Sequence, residues 1–451
     1  MIVNTKQVFL VGIGGIGMSA LARYFKHLGL LVYGYDKVET SLTKSLISEG
    51  IEVFYEDHVD LLPDSFREFD DHNMVVFTPA IPKDSSILQF LQKVGYRLHK
   101  RSEVLGLISR DRFTIAVAGT HGKTTTSSLI AHILTDSGYG CSAFLGGIAA
   151  NYNSNTLFAP NNTLVVEADE FDRSFLTLHP NIAVVTSVDA DHLDVYGDAD
   201  HVRESFLLFV GQVTTEGKRI IKKGLSLPSD IKYSIDEEAD VRGLNIRVQD
   251  GVFYFDYLSD NCIIRDVALG MAGAHNVENA VAAIAVAKCM DIADDLITNA
   301  LANFKGVKRR FEFIVRNSEC VYIDDYAHHP VELKACLSAV RHLFPDDHIT
   351  CIFQPHLFTR TRDFVDDFAE ALSLADTLLL MEIYPAREEP IAGIDADWLL
   401  SKVTITSKLK LNAEEVLTYV REERPKVIIT VGAGNIDLLV DPLKAILTYA
   451  E

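Results

Sequence analysis

Short apolar segments alternate with amphipathic segments along the whole chain. Three of the apolar segments run straight into a glycine-containing turn, and they begin at Val8, Phe113 and Val427. Each has the length of a buried strand, and the apolar positions after the first turn recur three and four residues apart. That spacing predicts a helix with one buried face, which is made by Met18, Leu21, Tyr24, Phe25 and Leu28.

The remaining apolar strands also alternate with helical segments. They lie at 74–77, 163–169, 181–191, 348–355 and 376–385. Continuous apolar strands separated by helices are typical of parallel sheets covered on both faces, so the sequence predicts an α/β protein. Residues 245–257 differ, because alternating apolar residues flank Asp250-Gly251 and predict a small antiparallel hairpin.

The chain has the length of about three domains. It holds 451 residues, and a domain averages ~150 residues. Charged residues precede a new strand near Arg101–Arg112, and a helix gives way to a new strand near Lys305–Arg310. We therefore predict three α/β domains, over residues 1–108, 109–306 and 307–451.

Composition and charge narrow the class of function. With 48% hydrophobic and 23% charged residues, the chain has the composition of an ordinary soluble protein. The 63 acidic and 42 basic residues give a net charge of −21, which argues against nucleic acid as a partner. No apolar run approaches the ~20 residues of a membrane-spanning helix, and the N-terminus lacks the apolar stretch of a secretory signal. We expect a cytoplasmic protein without membrane insertion.

The six cysteines show neither a zinc nor a disulfide pattern. They lie at positions 141, 262, 289, 320, 336 and 351, and no two of them form a CxxC pair. Reduced thiols in the core or at the surface are the expected state.

The GIGGIG segment fits the GxGxxG pattern of a phosphate-binding turn. Gly12, Gly14 and Gly17 lie between a strand and a helix, and Asp36 follows where a dinucleotide fold places its ribose acid. Taken alone, this segment suggests an NAD-dependent oxidoreductase. A tight turn without a ligand is the other interpretation.

The GTHGKTTT segment over 119–126 is a stronger signal for a triphosphate. It is not a strict Walker A sequence, because Val117 stands where that pattern requires glycine. A buried strand, a glycine turn, Lys123 and hydroxyl groups at a helix start nevertheless supply what a triphosphate needs. Lys123 would neutralise the β and γ phosphates, and Thr124 would ligate Mg²⁺. A threonine-rich helix cap is the alternative.

Two acidic strand ends follow this loop. The first carries Glu167, Asp169, Glu170 and Asp172, and the second carries Asp189, Asp191, His192 and Asp194. Ligands of open parallel sheets bind beyond the carboxyl ends of the strands, and hard oxygen donors suit Mg²⁺. These segments predict a magnesium site, which an imidazole can join.

Four later segments place polar groups where a ligand would meet them. Asn276 and Asn279 open a helix, where Asn276 is either an N-cap or part of a site. The cations of GVKRRFE form either a solvated face or a phosphate contact. IDDYAHHP and QPHLFTRTRD each follow an apolar strand and combine acid, imidazole and guanidinium groups, as a site for a zwitterionic or anionic substrate would.

Taken together and in this order, the motifs resemble those of the Mur ligase family. The resemblance covers nearly the whole chain, and GTHGKT together with HNxxNA is specific to the family. It implies three α/β domains: a Rossmann-like N-terminal domain for a UDP-sugar, a central P-loop-type ATPase domain with a parallel sheet, and a Rossmann-like C-terminal domain for an amino acid. The glycine turn is then expected at the diphosphate of the UDP-sugar, not at NAD.

The resemblance also implies a reaction and its reactants. The expected activity is an ATP- and Mg²⁺-dependent ligation of L-alanine to the lactyl carboxylate of UDP-N-acetylmuramate, in the synthesis of peptidoglycan precursors. ATP phosphorylates the carboxylate to an acyl phosphate, which the amine of L-alanine attacks. The resemblance leaves a homodimer open.

The family's roles carry over to matching positions. The expected UDP-sugar site consists of Gly14, Gly15, Gly17, Asp36, Thr78 and Ala80. The expected ATP site consists of Gly119, Thr120, His121, Gly122, Lys123, Thr124, Thr125, Asn276, Asn279, Arg310 and Asp325. The metal ligands are Thr124, Glu167 and His192, and the catalytic residues are Lys123, Glu167, His192 and Arg310. The alanine pocket is expected to hold Tyr326, His328, His356 and Arg360.

Three departures from the common family pattern are present. Leu357 stands where Arg is common, and Phe171 stands where Ser is common. Residues 193–217 lack the lysine that several sibling ligases carbamylate, and this absence fits the alanine-adding member of the family. A recycling ligase that adds a preformed tripeptide to the same UDP-sugar is the nearest rival. An NAD-dependent oxidoreductase and a non-catalytic nucleotide sensor are rivals of other classes.

Overall fold

The structure, a computed structural model, describes residues 4–189, 196, 198–386 and 388–448. His192, predicted as a metal ligand, lies outside these residues, as do Asp191 and Asp194. The described part contains three sheets, of five, ten and six strands.

The first sheet is wholly parallel, with the strand order β3-β2-β1-β4-β5. Its strands are β1 (Gln7–Val11), β2 (Leu31–Tyr35), β3 (Glu52–Phe54), β4 (Asn73–Phe77) and β5 (Leu98–Lys100). The helices are α1 (Ile16–His27), α2 (Ser41–Ser48), α3 (Ser86–Val94) and α4 (Arg101–Ser109), and short 3-10 helices cover Val59–Leu61 and Asp64–Phe66. Apolar side chains cover both faces of this sheet, as the continuous apolar strands predict.

The predicted buried face of α1 is confirmed except at one position. Met18, Leu21, Tyr24 and Phe25 are buried, whereas Leu28 is 44% exposed. The helix ends at His27, and Leu28 is its C-cap before Gly29 adopts a left-handed conformation. The helical period therefore no longer directs the Leu28 side chain into the core.

The middle sheet follows the order β15-β14-β13-β12-β11-β10-β6-β9-β7-β8. In chain order, its first seven strands are β6 (Phe113–Ala118), β7 (Ser142–Ala149), β8 (Ser154–Leu157), β9 (Thr163–Glu167), β10 (Ile182–Val185), β11 (Lys218–Lys222) and β12 (Ile231–Ser234). Helices α5 (Lys123–Asp136) and α6 (Ala199–Gly211) and a 3-10 helix over Phe171–Thr177 accompany them. These seven strands pair in parallel, except that β7 and β8 pair in antiparallel.

The predicted hairpin is confirmed. Strand β13 (Val241–Gln249) and strand β14 (Val252–Ser259) are joined at Asp250-Gly251, where both residues have positive φ, and β15 (Cys262–Leu269) follows. Positive φ at both central residues is the requirement of a tight turn between paired strands. Helices α7 (Ala274–Cys289) and α8 (Asp294–Asn303) come next.

The third sheet has the order β16-β17-β21-β18-β19-β20. Its strands are β16 (Glu312–Arg316), β17 (Val321–Asp325), β18 (Ile349–Phe353), β19 (Thr377–Leu380), β20 (Ser407–Lys410) and β21 (Val427–Val431). The helices are α9 (Pro330–Leu343), α10 (Phe358–Asp363), α11 (Val365–Leu372), α12 (Ala396–Lys402), α13 (Ala413–Glu423) and α14 (Val440–Thr448), with a 3-10 helix over Asn435–Leu439. Only β16 is antiparallel, because the short connection to β17 has no room for a crossover helix.

The chain forms two compact units. One contains residues 1–242, 257–263 and 279–301, and the other contains residues 243–256, 264–278 and 302–451. The α/β fold predicted from the sequence is confirmed, while the domain boundaries at 108 and 306 stay predictions. No helix in the described part of the chain is long and apolar enough to cross a membrane.

Candidate active site

The GTHGKTTT loop lies between the end of β6 and the start of α5, and two of its glycines cannot be replaced without strain. Gly119 has a φ of +140°, and a Cβ there would collide with Thr186 Oγ1. Gly122 has a φ of +81°, and its Cβ would lie 2.8 Å from Asn279 Oδ1. Left-handed backbone and close neighbours together require glycine at both positions.

The end of β10 holds the middle of the loop. The Thr120 hydroxyl lies 2.8 Å from Ser187 Oγ and donates to Asp189 Oδ2 over 3.2 Å. The His121 N–H donates to Ser187 Oγ at 2.7 Å, and the His121 carbonyl accepts from the Thr186 hydroxyl. The loop is therefore fixed by side chains of the neighbouring strand end before any ligand binds.

Lys123 begins α5 and makes three hydrogen bonds within the protein. Its Nζ donates to Gly119 O at 2.6 Å, to Glu170 Oε1 at 2.9 Å and to Thr120 O at 3.4 Å. Burial alone would lower the pKa of Lys123, but the carboxylates of Glu170, Glu167 and Asp169 outweigh it and raise the pKa. The lysine is therefore a fixed cation at the start of the helix.

The acids at the end of β9 each have a different partner. Glu167 lies opposite Val117 in the β6–β9 pairing, and its Oε2 accepts the Gly146 N–H at 2.9 Å. Asp169 forms an ion pair with Arg101 at 3.3 Å, whereas Glu170 pairs with Lys123. Of the predicted acids, Glu167, Asp169 and Glu170 thus lie close enough to Lys123 to raise its pKa.

The oxygen donors beside the phosphate loop are of the kind that Mg²⁺ prefers, although they do not form a complete coordination shell. Among the described residues, three acidic or imidazole groups come within metal-binding reach of one another only at Asp70, Asp71 and His72, an acidic surface cluster. Mg²⁺ is usually held by one or two carboxylates, with phosphate oxygens and water completing its shell. Glu167 and Thr124 can provide such a partial set.

Two threonines of the predicted ATP site lie in α5, and the two asparagines predicted for the same site lie in α7. Thr124 and Thr125 are buried in the first turn of α5. Asn279 Oδ1 accepts the Thr126 hydroxyl at 3.1 Å, so Asn279 contacts the helix that begins at Lys123. Asn276 donates its side-chain amide to Ala272 O at 2.6 Å. The helix already begins at Ala274, so Asn276 lies within its first turn and is not its N-cap.

The GIGGIG turn borders a cleft of about 830 Å³ at the edge of the first sheet. Of the predicted UDP-sugar residues, the cleft is lined by Gly15, Asp36, Thr78 and Ala80. Gly14 donates its N–H to Asp36 Oδ2 at 2.8 Å, which closes the turn, and Gly17 packs against the Arg101 side chain. The cleft is large enough for a ligand of the size of a nucleotide.

Arg310 and Asp325 lie at the start of the third sheet. Asp325 ends β17 and accepts the N–H groups of Phe311 and Ala327, each at 2.7 Å. Burial raises the pKa of Asp325 to about 6, against the opposing effects of Arg310 and these two N–H groups. Arg310 lies over the Tyr326 ring at 5.2 Å and 3.9 Å from Glu332.

The four residues predicted for the alanine pocket form one chain of contacts. Ring centroids are 5.4 Å apart for Tyr326 and His328 and 5.8 Å apart for His328 and His356, and Arg360 Nη1 lies 3.5 Å from His356 Nδ1. Burial lowers the pKa of His328, and Arg360 acts in the same direction against the effect of Glu332. The structure thus brings together a neutral imidazole, a second imidazole and a guanidinium.

The adjacent cation Arg309 has a structural role that the sequence does not reveal. The GVKRRFE segment predicts either a solvated cation or a phosphate contact at this position. In the structure, Arg309 Nε donates to the buried Asp324 at 3.1 Å and Nη2 donates to Gly432 O at 2.7 Å.

Sequence reasoning also missed the partners that hold the phosphate loop and its acids. Thr186 and Ser187 fix the loop, Gly146 holds Glu167, and Glu170 pairs with Lys123. The hydroxyl residues directly after an apolar strand were a usable signal for the first pair. For Gly146 the chain offers only a Gly-Gly pair within a strand, which marks a close backbone approach.

Comparison with known proteins identifies the family over the whole chain. Models described as "Mur ligase family, catalytic domain", "Mur ligase middle domain" and "Mur ligase, glutamate ligase domain" match residues 7–113, 117–287 and 309–434. A UDP-N-acetylmuramate–L-alanine ligase of Flavobacterium johnsoniae is 47% identical over 442 residues, which are 98% of this chain and 98% of that protein.

Solved structures agree with this match. The UDP-N-acetylmuramate–alanine ligase of Thermotoga maritima superposes with a TM-score of 0.81 at 26% identity, over 97% of this chain and 98% of that chain. A murein peptide ligase of Psychrobacter arcticus, at 22% identity and a TM-score of 0.69 over 99% of both chains, shares the fold. With family models over most of its length and a near full-length relative at 47% identity, the chain belongs to the Mur ligase family.

Proposed function

We propose that the chain is an ATP-dependent ligase that joins L-alanine to the lactyl carboxylate of UDP-N-acetylmuramate, a step in the synthesis of peptidoglycan precursors. The observation that carries this proposal is the near full-length likeness to relatives that bear this name. The preorganised phosphate loop supplies the geometry for the nucleotide. The oxidoreductase alternative finds no support, because the matched models cover the GIGGIG segment as part of a ligase.

The reaction needs activation because a carboxylate is a poor electrophile. A carboxylate oxygen attacks the γ phosphorus of ATP, the bond to the leaving ADP oxygen breaks, and an acyl phosphate forms. The amine nitrogen of L-alanine then attacks the acyl carbon, inorganic phosphate leaves with the bridging oxygen, and the nitrogen loses a proton. Positioning and charge stabilisation are the main contributions that a protein makes to such a transfer.

The loop after β6 provides both contributions in this proposal. The N-terminus of α5 would face phosphate oxygens, and the Lys123 ammonium group would donate a hydrogen bond to the β and γ phosphates. Thr120 and His121 are held in place by Ser187, so the loop loses little freedom when ATP binds. The predicted contacts of Asn276, Asn279, Arg310 and Asp325 with the nucleotide remain part of the proposal.

Mg²⁺ belongs to the proposal because oxygen donors surround the loop. Thr124 and Glu167 would hold it, with His192 predicted from the sequence as a ligand of a second ion. When bound, the ion neutralises phosphate charge and orients the γ phosphate. Gly146 keeps the Glu167 carboxylate in place through its N–H, which leaves Oε1 available.

The other proposed subsites follow from chemistry and placement. The cleft lined by Gly15, Asp36, Thr78 and Ala80 is proposed for the UDP-sugar. The Tyr326–His328–His356–Arg360 chain is proposed for L-alanine, since the Arg360 guanidinium can pair with its carboxylate.

The proposal is tested by measuring ADP release with a panel of acceptors and donors. We expect turnover with UDP-N-acetylmuramate, L-alanine and MgATP, and a product heavier than the UDP-sugar by one alanyl residue. Turnover with a tripeptide and none with L-alanine would assign the recycling ligase instead. The Lys123→Ala variant serves as the background control, because it removes the cation proposed to contact the phosphates.

A further inference from the structure

Glu170 is one of the most buried carboxylates in the described part of the chain, and it contacts the proposed ATP-binding lysine. The residue is 1% exposed, and its Oε1 accepts from Lys123 Nζ at 2.9 Å. It is the N-cap of the 3-10 helix that follows β9, and its backbone carbonyl accepts the Tyr196 hydroxyl. Backbone and side chain of Glu170 are therefore both fixed.

The hydrogen bonds of Lys123 indicate which of its contacts a phosphate can replace. An ammonium group has three donors, and here they go to Gly119 O at 2.6 Å, Glu170 at 2.9 Å and Thr120 O at 3.4 Å. The Thr120 contact is long and therefore weak. A phosphate oxygen can take that donor while the two short bonds remain.

Burial argues that the Lys123–Glu170 pair persists when nucleotide binds. Removing the lysine from Glu170 would leave a carboxylate in a desolvated position without its cation, which is costly. Giving up the 3.4 Å contact to Thr120 costs far less. In the alternative, the Lys123–Glu170 ion pair exists only in the absence of ATP, and ATP binding breaks it. That alternative requires the costly separation of Lys123 from the buried Glu170 carboxylate.

We propose that Glu170 is a positioning residue that holds Lys123 against the phosphate loop throughout the reaction and directs its remaining N–H at the transferred phosphoryl group. This inference rests on the proposed function. Glu170 acts through Lys123 and does not itself contact the substrates. The Lys123–Glu170 ion pair has no net charge. Its main effect is therefore to orient the Lys123 N–H, and the neutralisation of the triphosphate depends mainly on other cations.

The test is a double-mutant cycle between Glu170→Gln and Lys123→Ala. Binding of a fluorescent ATP analogue with Mg²⁺ and the rate of ADP release are measured for the wild type, both single variants and the double variant. The amide of Glu170→Gln keeps the size and one acceptor but loses the charge. Asp256→Asn is the matched control, because Asp256 is a buried carboxylate in β14 whose partners are Asn245, the N–H of Asp266 and the Arg265 guanidinium, all outside the phosphate loop.

We expect Glu170→Gln to lower kcat about 30-fold, as a misdirected donor would, with a change of at most about three-fold in KM for ATP. In the Lys123→Ala background the same change is expected to lower ADP release and analogue binding less than two-fold, because Lys123 carries the effect. Asp256→Asn is expected to retain full activity. Thermal melting of every variant establishes that it is folded.

Equal losses in both backgrounds would overturn the proposal, since Glu170 would then act independently of Lys123. Tighter analogue binding by Glu170→Gln would also overturn it, because that result identifies the ion pair as a resting state. A wild type that binds the analogue but forms no product with L-alanine refutes the proposed ligase reaction. In that event the cycle in analogue binding still decides whether Glu170 acts through Lys123.

Discussion

At the scale of single residues, Gly146 controls the position of the Glu167 carboxylate. A Cβ at Gly146 would collide with both carboxylate oxygens of Glu167, whose Oε2 accepts the Gly146 N–H. We predict that Gly146→Ala lowers kcat between about 10- and 100-fold, because the displaced carboxylate misplaces the proposed metal ion. Steady-state ADP release at increasing Mg²⁺ concentration measures the loss.

Gly211→Ala is the matched control for that prediction. Gly211 ends α6, and a Cβ there meets nothing within 4 Å. Alanine stabilises a helical position relative to glycine, so this variant should keep wild-type activity and melt no earlier. Equal activity of the Gly146→Ala and Gly211→Ala variants would contradict the positioning of Glu167 by Gly146.

Asp325 makes stability depend on pH. Its pKa rises from 3.8 to about 6 because it is buried, so the folded chain binds more protons than the unfolded chain between these values. Stability relative to the Asp325→Asn variant must therefore fall as pH rises through this window, by about 3 kcal/mol at most. The loss of one N–H acceptor in the variant adds a pH-independent offset.

Melting temperatures of both proteins at pH 5, 6, 7 and 8 test this sign. We expect the melting temperature of the wild type to fall relative to that of Asp325→Asn from pH 5 to pH 7 and then to stay level. A relative gain by the wild type over the same range would show that Asp325 is ionised without cost in the folded state.

At the scale of elements, one buried side chain joins α1 to β8. Asn155 is fully buried and donates to Ile16 O at 2.7 Å and to Ser19 Oγ at 3.2 Å, while it accepts from Arg23 Nη1 at 2.6 Å. Asn155→Ala should lower the free energy of unfolding by about 2 to 3 kcal/mol, because it leaves a backbone carbonyl and a guanidinium without this partner.

The exposed Asn162 provides the comparison for this prediction. Asn162→Ala should leave the denaturation midpoint within the error of the wild type, since its side chain lies at the surface. A midpoint for Asn155→Ala that matches that of Asn162→Ala would show that the hydrogen bonds of Asn155 contribute nothing net to stability.

The elements themselves were largely predictable from the sequence. Apolar strands such as β6 and glycine turns such as Gly119–Gly122 are local signals, and they were sufficient for the parallel sheets, the hairpin and the phosphate loop. The Lys123–Glu170 pair, the Gly146–Glu167 contact and the role of Arg309 were not predictable. Each joins residues that are distant in the sequence, and only the strand order of the sheet brings them together.

At the scale of the whole molecule, burial protects the thiols. Cys141, Cys320, Cys336 and Cys351 are buried, whereas Cys262 and Cys289 are partly exposed. Burial raises the pKa of Cys141 and Cys351 to about 12 and that of Cys320 to about 11, so almost no thiolate is present at pH 7.5. We predict that a thiol reagent modifies at most two cysteines in the native protein.

Mass spectrometry after brief treatment with iodoacetamide at pH 7.5 measures this directly. Two modified cysteines in the native chain and six in the denatured chain are the expected counts. Prompt labelling of Cys336 or Cys351 under native conditions would show that the third sheet opens to solvent on that timescale.

The proposed ligation requires that the lactyl carboxylate is phosphorylated before the amide bond forms. An oxygen label in that carboxylate follows this step most directly. UDP-N-acetylmuramate with ¹⁸O in its lactyl carboxylate is turned over with L-alanine and MgATP, and the inorganic phosphate is analysed by mass spectrometry. One labelled oxygen is predicted in each phosphate, since the bridging oxygen of the acyl phosphate leaves with phosphorus. Product formation with unlabelled phosphate would contradict the account.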